Sequence, residues 1–299
     1  MKNKDGQVRA LCLLSGGLDS HLAASLLREQ GKGLRAITFL HPLHEASRAS
    51  AVARWLGIEH TTEDLTPSLV AVLSRHRGTP SIAYHVEMMR KARVVMEEER
   101  CDFIITGEVL NQYLPSQTME SFQRIDRASG CADRVVRPLS AKRLPATLPE
   151  REGWVDRQQF LDIQGPERTI QQALAERFEL PVTERNPAQP CLNDEAFLVR
   201  AHDLRDHEGL RGSRALRLLR VGRHFRLGAS TKLVVGRNER ENAEIEGGAE
   251  LYDLLLSAES GRGPSALLPF TATEEQVKLA AAICLRYSDV QPEDNARVR

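Results

Sequence analysis

No excess charge of either sign marks this chain: 41 Lys and Arg balance 41 Asp and Glu over 299 residues. A zero total excludes attraction of nucleic acid by bulk charge, so affinity for a polyanion has to come from where the basic residues sit. Cysteine is scarce too. Cys12, Cys101, Cys131, Cys191 and Cys284 are odd in number and widely scattered, which suits reduced thiols better than a disulfide framework. Their spacing holds no zinc pattern. Met1 to Val8 is polar and lacks an apolar signal core, and no stretch approaches the roughly 18 apolar residues of a membrane span. These absences lead to the expectation of a soluble, cytoplasmic protein with no membrane partner. Internal repeats and low-complexity tracts are also missing.

What is present is length enough for one large domain and one small one. Arg9 to Leu14 reads as a buried strand, Ser15 to Ser20 as a glycine-rich turn, and the following stretch as a helix striped by Leu22, Leu26 and Leu27 and stopped at Gly31. Strands are expected at Leu34 to Leu40, Ile58 to His60 and Asp102 to Thr106, with helices at Glu45 to Leu56 and Tyr84 to Glu99. That alternation argues for an α/β fold, an open, mostly parallel sheet with helices on both faces. Beyond about residue 130 it fades into segments punctuated by Pro138, Pro145 and Pro149, then a helix from Pro166 to Phe178.

A change of composition near Leu210 places the domain boundary there, giving domains 1–209 and 210–299. Arg211, Arg214, Arg217, Arg220, Arg223 and Arg226 recur every third residue, and Lys232, Arg237 and Arg240 follow. Short strands are expected around Leu216 to Leu227 and Lys232 to Val235, and a last helix from Thr273 to Arg286, making a small α+β domain.

The sharpest motif is Ser15-Gly16-Gly17-Leu18-Asp19-Ser20 between the first strand and helix. Such a turn collects unpaired backbone N–H groups and the positive end of a helix at one spot, which suits an anion. Gly16 and Gly17 permit close approach of backbone to phosphate, and the Ser15 and Ser20 hydroxyls add donors. Asp19 would repel phosphate directly, so its expected task is to hold a magnesium ion bridging phosphate oxygens. No Gly-Lys-Ser/Thr follows, so the Walker A pattern and transfer of a γ-phosphate are disfavoured.

The hexapeptide resembles the signature of PP-loop ATP-pyrophosphatases, which cleave ATP between its α- and β-phosphates and activate an acceptor oxygen as an adenylate. Thr106-Gly107-Glu108-Val109-Leu110, Gln112, Ser116-Gln117 and Arg137-Pro138-Leu139-Ser140-Ala141-Lys142 are similar to segments of one bacterial subgroup, that of tRNA 4-thiouridine synthase and tRNA 2-thiouridylase. The resemblance implies an adenine nucleotide α-hydrolase-like fold. It adds Phe39, Gly107, Glu108, Gln112, Arg137 and Lys142 to the ATP site, with Glu108 on metal or ribose and the two cations on the leaving pyrophosphate. The terminal portion, with Gly222-Arg223-His224-Phe225-Arg226 and Lys232 to Asn242, is similar to the RNA-binding module of NFACT proteins. RNA contacts are therefore expected from Arg220, Arg223, Phe225, Arg226, Lys232 and Arg237, with His224 or Phe225 stacking on a base. The partner implied is tRNA or another RNA, not DNA.

One family feature is missing. Thiolating members carry Asn-Pro-Cys, two residues, then Cys-His; here the segment reads Thr79-Pro80-Ser81-Ile82-Ala83-Tyr84-His85. A downstream cysteine survives in Asn186-Pro187-Ala188-Gln189-Pro190-Cys191-Leu192. A lone thiol neither holds an iron–sulfur cluster nor resolves a persulfide without help, so a cluster is not expected. Cys191 remains a candidate persulfide carrier fed by a sulfur donor protein, beside an inert reading of the same residue. Ser81 and His85 have no evident partner in sequence. The expected reaction is ATP-dependent adenylation of a base carbonyl followed by sulfur transfer. The alternatives are thiolation or amidation of a free purine or other small metabolite, and a regulatory RNA-binding paralogue without chemistry.

Overall fold

The computed structural model describes residues 8–44, 47–76, 80–180, 192–259, 262–289 and 297–298. Two compact units divide the chain, Met1–Asn193 and Asp194–Arg299, so that residues 194–209 fall with the second unit.

In the first unit, β1 (Arg9–Leu13), α1 (Leu18–Glu29), β2 (Gly33–Leu40), α2 (Ser47–Leu56) and β3 (Glu59–Asp64) come first. Then follow α3 (Thr66–Arg75), α4 (Ser81–Glu98), β4 (Phe103–Ile105), α5 (Met119–Ser129) and β5 (Val135–Val136). The five strands form a wholly parallel sheet in the order β3-β2-β1-β4-β5. Parallel neighbours require helical crossovers, and the strand at the centre is buried on both faces, which is why β1 reads as an unbroken apolar run. Ala10, Cys12 and Leu14 face a core shared with Ala24 and Leu27 of α1 and Val52 and Leu56 of α2. Alternation along the strand sends Leu11 and Leu13, also buried, the other way. On the face of α1 turned from that core, Leu22 and Leu26 meet Val109, Leu139, Ile163 and Ala175. Each fully buried leucine there contributes roughly 2 kcal/mol.

The sequence expectation of β-α alternation ending near residue 130 is corrected by β5, which extends the sheet past β4. Helices α3 and α5 of this stretch went unread, as did those at Leu148–Arg151 and, in the second unit, at Glu195–His207, Gly212–Leu218 and Glu239–Gly247. Helix α5 is framed by local signals: Thr118 Oγ1 accepts the Ser121 N–H at 3.1 Å, and Gly130 ends the helix at φ 75°. After β5 come α6 (Leu148–Arg151) and α7 (Thr169–Arg177), the latter packed on α1.

The second unit comprises α8 (Glu195–His207), α9 (Gly212–Leu218), β6 (Arg223–Gly228), β7 (Thr231–Val235), α10 (Glu239–Gly247), β8 (Asp253–Leu256), β9 (Ala266–Pro269) and α11 (Glu274–Arg286). Its sheet is antiparallel, ordered β6-β7-β9-β8. The expected strand from Leu216 to Leu227 is corrected: its first part belongs to helix α9, and the strand begins at Arg223. The three-residue arginine spacing spans two different elements, so it has no single structural meaning. Among the described residues, no helix is long and apolar enough to cross a membrane.

Candidate functional site

The loop between β1 and α1 is shaped by its glycines. Gly16 lies at φ 76°, and a Cβ there would stand 2.7 Å from the Ala49 amide nitrogen and 2.8 Å from Arg48 Cβ. Gly17 is the N-cap of α1 and has no side chain to cap it. The first ladder bond runs from the His21 N–H to the Gly17 carbonyl at 3.2 Å. The amides of Leu18, Asp19 and Ser20 therefore precede the ladder, where a helix presents unsatisfied donors. Ser15 Oγ and Ser20 Oγ are 3.1 Å apart, and Ser20 Oγ donates to the Gly17 carbonyl at 2.9 Å. The two hydroxyls brace the turn.

Gly107, just past the end of β4, abuts this turn. A Cβ on it would fall 2.3 Å from Ser20 N and 2.5 Å from Asp19 C and Ser20 Cα. Its neighbour Thr106 donates from Oγ1 to Glu108 Oε2 at 3.0 Å. Gln112 donates from Nε2 to Asp19 Oδ2 at 2.8 Å. Two sequence-expected residues, Gly107 and Gln112, thus touch the hexapeptide directly. Phe39 is buried in β2, paired with Glu63 of β3.

Arg137 and Lys142 diverge in their surroundings. Arg137 is 3% exposed; it gives Nε to Glu108 Oε2 at 2.9 Å and both terminal nitrogens to Asp126 at 2.9 and 2.8 Å. Its guanidinium also lies 4.0 Å over the Phe122 ring. Burial works against the charge, but the Glu108 and Asp126 carboxylates outweigh it and hold the pKa above its ordinary value. Every nitrogen of this cation is spent inside the fold. Lys142 is exposed, on a single turn of 3-10 helix. Ser140 anchors the stretch between them, accepting the Leu110 N–H at 2.9 Å and donating to the Ile163 carbonyl at 2.7 Å.

Ile163 N–H in turn bonds the Leu139 carbonyl, and Gly165 N–H the Leu110 carbonyl. These bonds carry the chain to Arg168, the N-cap of α7, which sequence reasoning missed. Arg168 Nη2 donates to Tyr113 Oη at 2.7 Å and lies 3.3 Å from Asp19 Oδ2. Gln171, wholly buried, donates to Gln112 Oε1 at 3.2 Å. Asp19 is thereby ringed by Gln112, Arg168 and Gln171. Burial raises its pKa above the usual carboxylate value, and those three partners oppose the rise without cancelling it. Neither Arg168 nor Gln171 belongs to a motif quoted from the sequence; only the fold brings them to Asp19.

Asp19 Oδ1 is a buried acceptor with no hydrogen-bond partner among the described residues. An oxygen of that kind fits a hard cation such as magnesium, which is usually held by one or two carboxylates together with phosphate oxygens. No group of three or more His, Cys, Asp or Glu among the described residues forms a metal cage by itself.

At the segment where the cysteine pair is replaced, Ser81 is buried and its Oγ has no hydrogen-bond partner among the described residues, and His85 Nδ1 donates to the Ser81 carbonyl at 2.7 Å. Tyr84 is buried with its ring 5.5 Å from that of His41, and burial pushes its hydroxyl pKa up. Cys12, Cys101, Cys131 and Cys284 are all buried, and burial raises every one of these thiols, Cys12 and Cys101 to about 12. None is a ready thiolate. Thr79 and Cys191 lie outside the described residues.

The second unit sorts its basic residues by strand period. Arg223, Phe225 and Leu227 of β6 share one face, where Phe225 and Leu227 pack on the core and Arg223 lies 4.3 Å over the Tyr287 ring. His224 and Arg226 take the other. Arg226 and Lys232 converge on Asp203 of α8, at 2.7 Å each, with Arg226 also 2.7 Å from Glu208. Arg237 pairs with Glu241 at 2.6 Å. His224 donates from Nε2 to the Leu218 and Val221 carbonyls, and burial foremost lowers its pKa to about 4. Of the expected RNA contacts, Arg226, Lys232 and Arg237 are thus engaged by carboxylates, and Phe225 is partly buried in the core. Arg220 and Arg223 have no carboxylate partner among the described residues.

Residues 5–142 match the family model described as thiamine biosynthesis protein (ThiI), and residues 222–299 the model described as NFACT protein RNA binding domain. A probable tRNA sulfurtransferase of Ureaplasma parvum serovar 3 is 32% identical over 147 residues, 44% of this chain and 37% of the relative. One from Mycoplasma pneumoniae is 32% identical over 138 residues, 44% of this chain and 35% of the relative. This chain therefore spans little more than a third of the length of those relatives. Among solved structures, a 4-thiouridine synthetase–RNA complex with bound ATP is 22% identical, with TM-score 0.40, over 63% of this chain and 53% of that one. The U34-tRNA thiolase NcsA of Methanococcus maripaludis, with its 4Fe-4S cluster, is 17% identical, with TM-score 0.31, over 73% and 71%. Likeness at those scores carries no argument about chemistry.

Proposed function

We infer, from a chain that joins a PP-loop segment of the ThiI type to an NFACT-type RNA-binding domain, that this protein uses ATP to adenylate a carbonyl oxygen of an RNA base and exchanges that oxygen for sulfur. The observation that carries the reading is the contact between Gly107 and the first turn of α1, which leaves no room for a side chain beside the open amides. Backbone donors held this way meet phosphate oxygens without reorganising, the condition for electrostatic stabilisation of a leaving group.

In this reading the triphosphate lies on the amides of Leu18 to Ser20, and Asp19 would hold magnesium, which would supply neutralisation of the phosphate charge. Arg137 acts as a positioning residue: it fixes Glu108 against Asp126, and so fixes the strand end that carries Gly107. Lys142 is an exposed cation free to meet substrate. The base oxygen attacks the α-phosphorus and the bond to pyrophosphate breaks, the electron pair leaving with pyrophosphate. A sulfur nucleophile then adds to the activated carbon, and AMP departs with the original oxygen. The described cysteines are too buried to serve as that nucleophile; hydrosulfide from an external donor serves directly, or a persulfide on Cys191 does, its S–S bond then being reduced by an external thiol that leaves as disulfide. In the terminal domain, Arg220 and Arg223 are the better candidates for phosphate contacts.

Replacement of the cysteine pair by a buried Ser81 and a buried Tyr84 favours one second reading, in which the same adenylation serves a free purine or another small acceptor. The test is turnover of ATP labelled at the α-phosphate, with tRNA or a free purine and hydrosulfide, followed by mass spectrometry of the acceptor. RNA-dependent AMP and a thionucleoside are expected. Product only with the free base establishes the second reading, and ADP as the product would sink both.

A further inference from the structure

We propose that Arg168 is the cation that receives the β- and γ-phosphates of the nucleotide, held beside Asp19 until a nucleotide arrives. This rests on the ATP-binding reading of the loop above and names a residue that reading lacks.

Arg137 and Arg168 differ in how far their nitrogens are committed. Arg137, the arginine marked out by motif, is 3% exposed and has Nε, Nη1 and Nη2 all bonded to carboxylates. Turning it toward a phosphate would strand Glu108 and Asp126 as uncompensated buried charges, a loss that a ligand contact would not offset. Arg168 is a quarter exposed. Only its Nη2 is engaged, with the Tyr113 hydroxyl and with Asp19 at the longer distance of 3.3 Å. Its Nε and Nη1 have no protein partner among the described residues, and neither is a buried orphan. Nε and Nη1 thus keep free N–H groups next to a loop of open amides, and exchange of the long Asp19 contact at Nη2 for a phosphate oxygen would complete a two-pronged edge of the kind phosphates accept.

Its position is built, not incidental. Leu22 and Leu26 of α1 pack with Ile163 and Ala175, which bracket Arg168 in sequence. The bonds from Ile163 to Leu139 and from Gly165 to Leu110 fix the approach to α7. Packing thus delivers Arg168 to the second residue of α1, and Asp19 offers it a counter-charge there. Asp19 keeps its other oxygen, Oδ1, without a partner among the described residues, so occupation of that oxygen by a metal would not require Arg168 to leave first.

Calorimetric titration of the full chain with ATP, inorganic pyrophosphate and AMP tests this, comparing the parent with Arg168→Ala and Arg168→Lys. The alanine variant is expected to lose about tenfold or more in affinity for ATP and pyrophosphate, which is about 1.4 kcal/mol or more, and to keep AMP within about twofold. A purely structural role for Arg168 would weaken AMP in parallel, because the same loop holds its phosphate, and that result overturns the proposal. So does ATP affinity equal to the parent's. Should the alanine variant not fold by circular dichroism, the lysine variant, which keeps the charge but not the fork, decides by the same ratio of ATP to AMP affinity. If the parent itself binds no ATP, the fault lies with the ATP-site reading and not with Arg168 alone.

Discussion

Gly107 admits no substitute, because the space its side chain would need is occupied by backbone. Gly107→Ala would force Ser20 and Asp19 away from β4, since the added carbon would sit 2.3 Å from Ser20 N. An overpacked site that cannot yield costs about 1 to 3 kcal/mol; urea denaturation should show a loss in that range, together with loss of ATP binding in calorimetry. Arg137 behaves in the opposite sense, as a charge that its surroundings cannot do without. Arg137→Ala leaves Glu108 and Asp126 buried without a counter-ion, and a loss on the order of 3 to 5 kcal/mol is expected by the same measurement. Arg137→Lys should recover only part of it, since one ammonium cannot span two carboxylates. At this scale the sequence was partly legible. Gly16, Gly17 and Asp19 stand in a hexapeptide whose chemistry follows from residue types, whereas Arg168 and Gln171 reach Asp19 only through the packing of α7 on α1, which no local pattern encodes.

Elements were readable where one period dominated. β1 is an unbroken apolar run because it lies at the centre of a parallel sheet, and α11 begins at a capping box, Thr273 with Gln276, that a sequence can display. The stretch from Arg211 to Arg226 misled because two periods meet in it: Arg214 and Arg217 lie on a helix, Arg223 and Arg226 on opposite faces of a strand. That change of face turns Arg226 inward to Asp203. The Arg226 and Lys232 bonds outweigh the burial that would raise the Asp203 pKa and hold it well below the usual carboxylate range. A depressed carboxylate contributes stability that is complete above its unfolded pKa, about 4, and is lost as pH falls through the lower folded value. Asp203→Asn should therefore destabilise the second unit by about 1 kcal/mol at pH 7, solvent screening included. The gap between parent and variant in urea melts should narrow below about pH 4; a gap that widened there would contradict the assigned pairing.

For the whole molecule, a formal charge of zero hides an uneven commitment of its cations. In the second unit Arg226, Lys232 and Arg237 are bound to carboxylates and contribute to folding, whereas Arg220 and Arg223 have no carboxylate partner among the described residues. RNA affinity of the intact chain should accordingly fall with salt, and Arg223→Ala should reduce the slope by about 1, the signature of one lost phosphate contact. Arg226→Ala should act through stability and leave that slope unchanged. Parallel sheet, small α+β domain and the glycine-rich turn between β1 and α1 all followed from patterns along the chain; the two compact units part at residue 194, ahead of the composition change near Leu210, because Asp203 ties α8 to Arg226 and Lys232 of the second sheet. The account as a whole depends on nucleotide meeting the amides between β1 and α1. Calorimetry of the intact protein with ATP and magnesium tests that most directly: saturable one-site binding, abolished by Gly107→Ala, is predicted, and absence of saturable heat at millimolar ATP would contradict it.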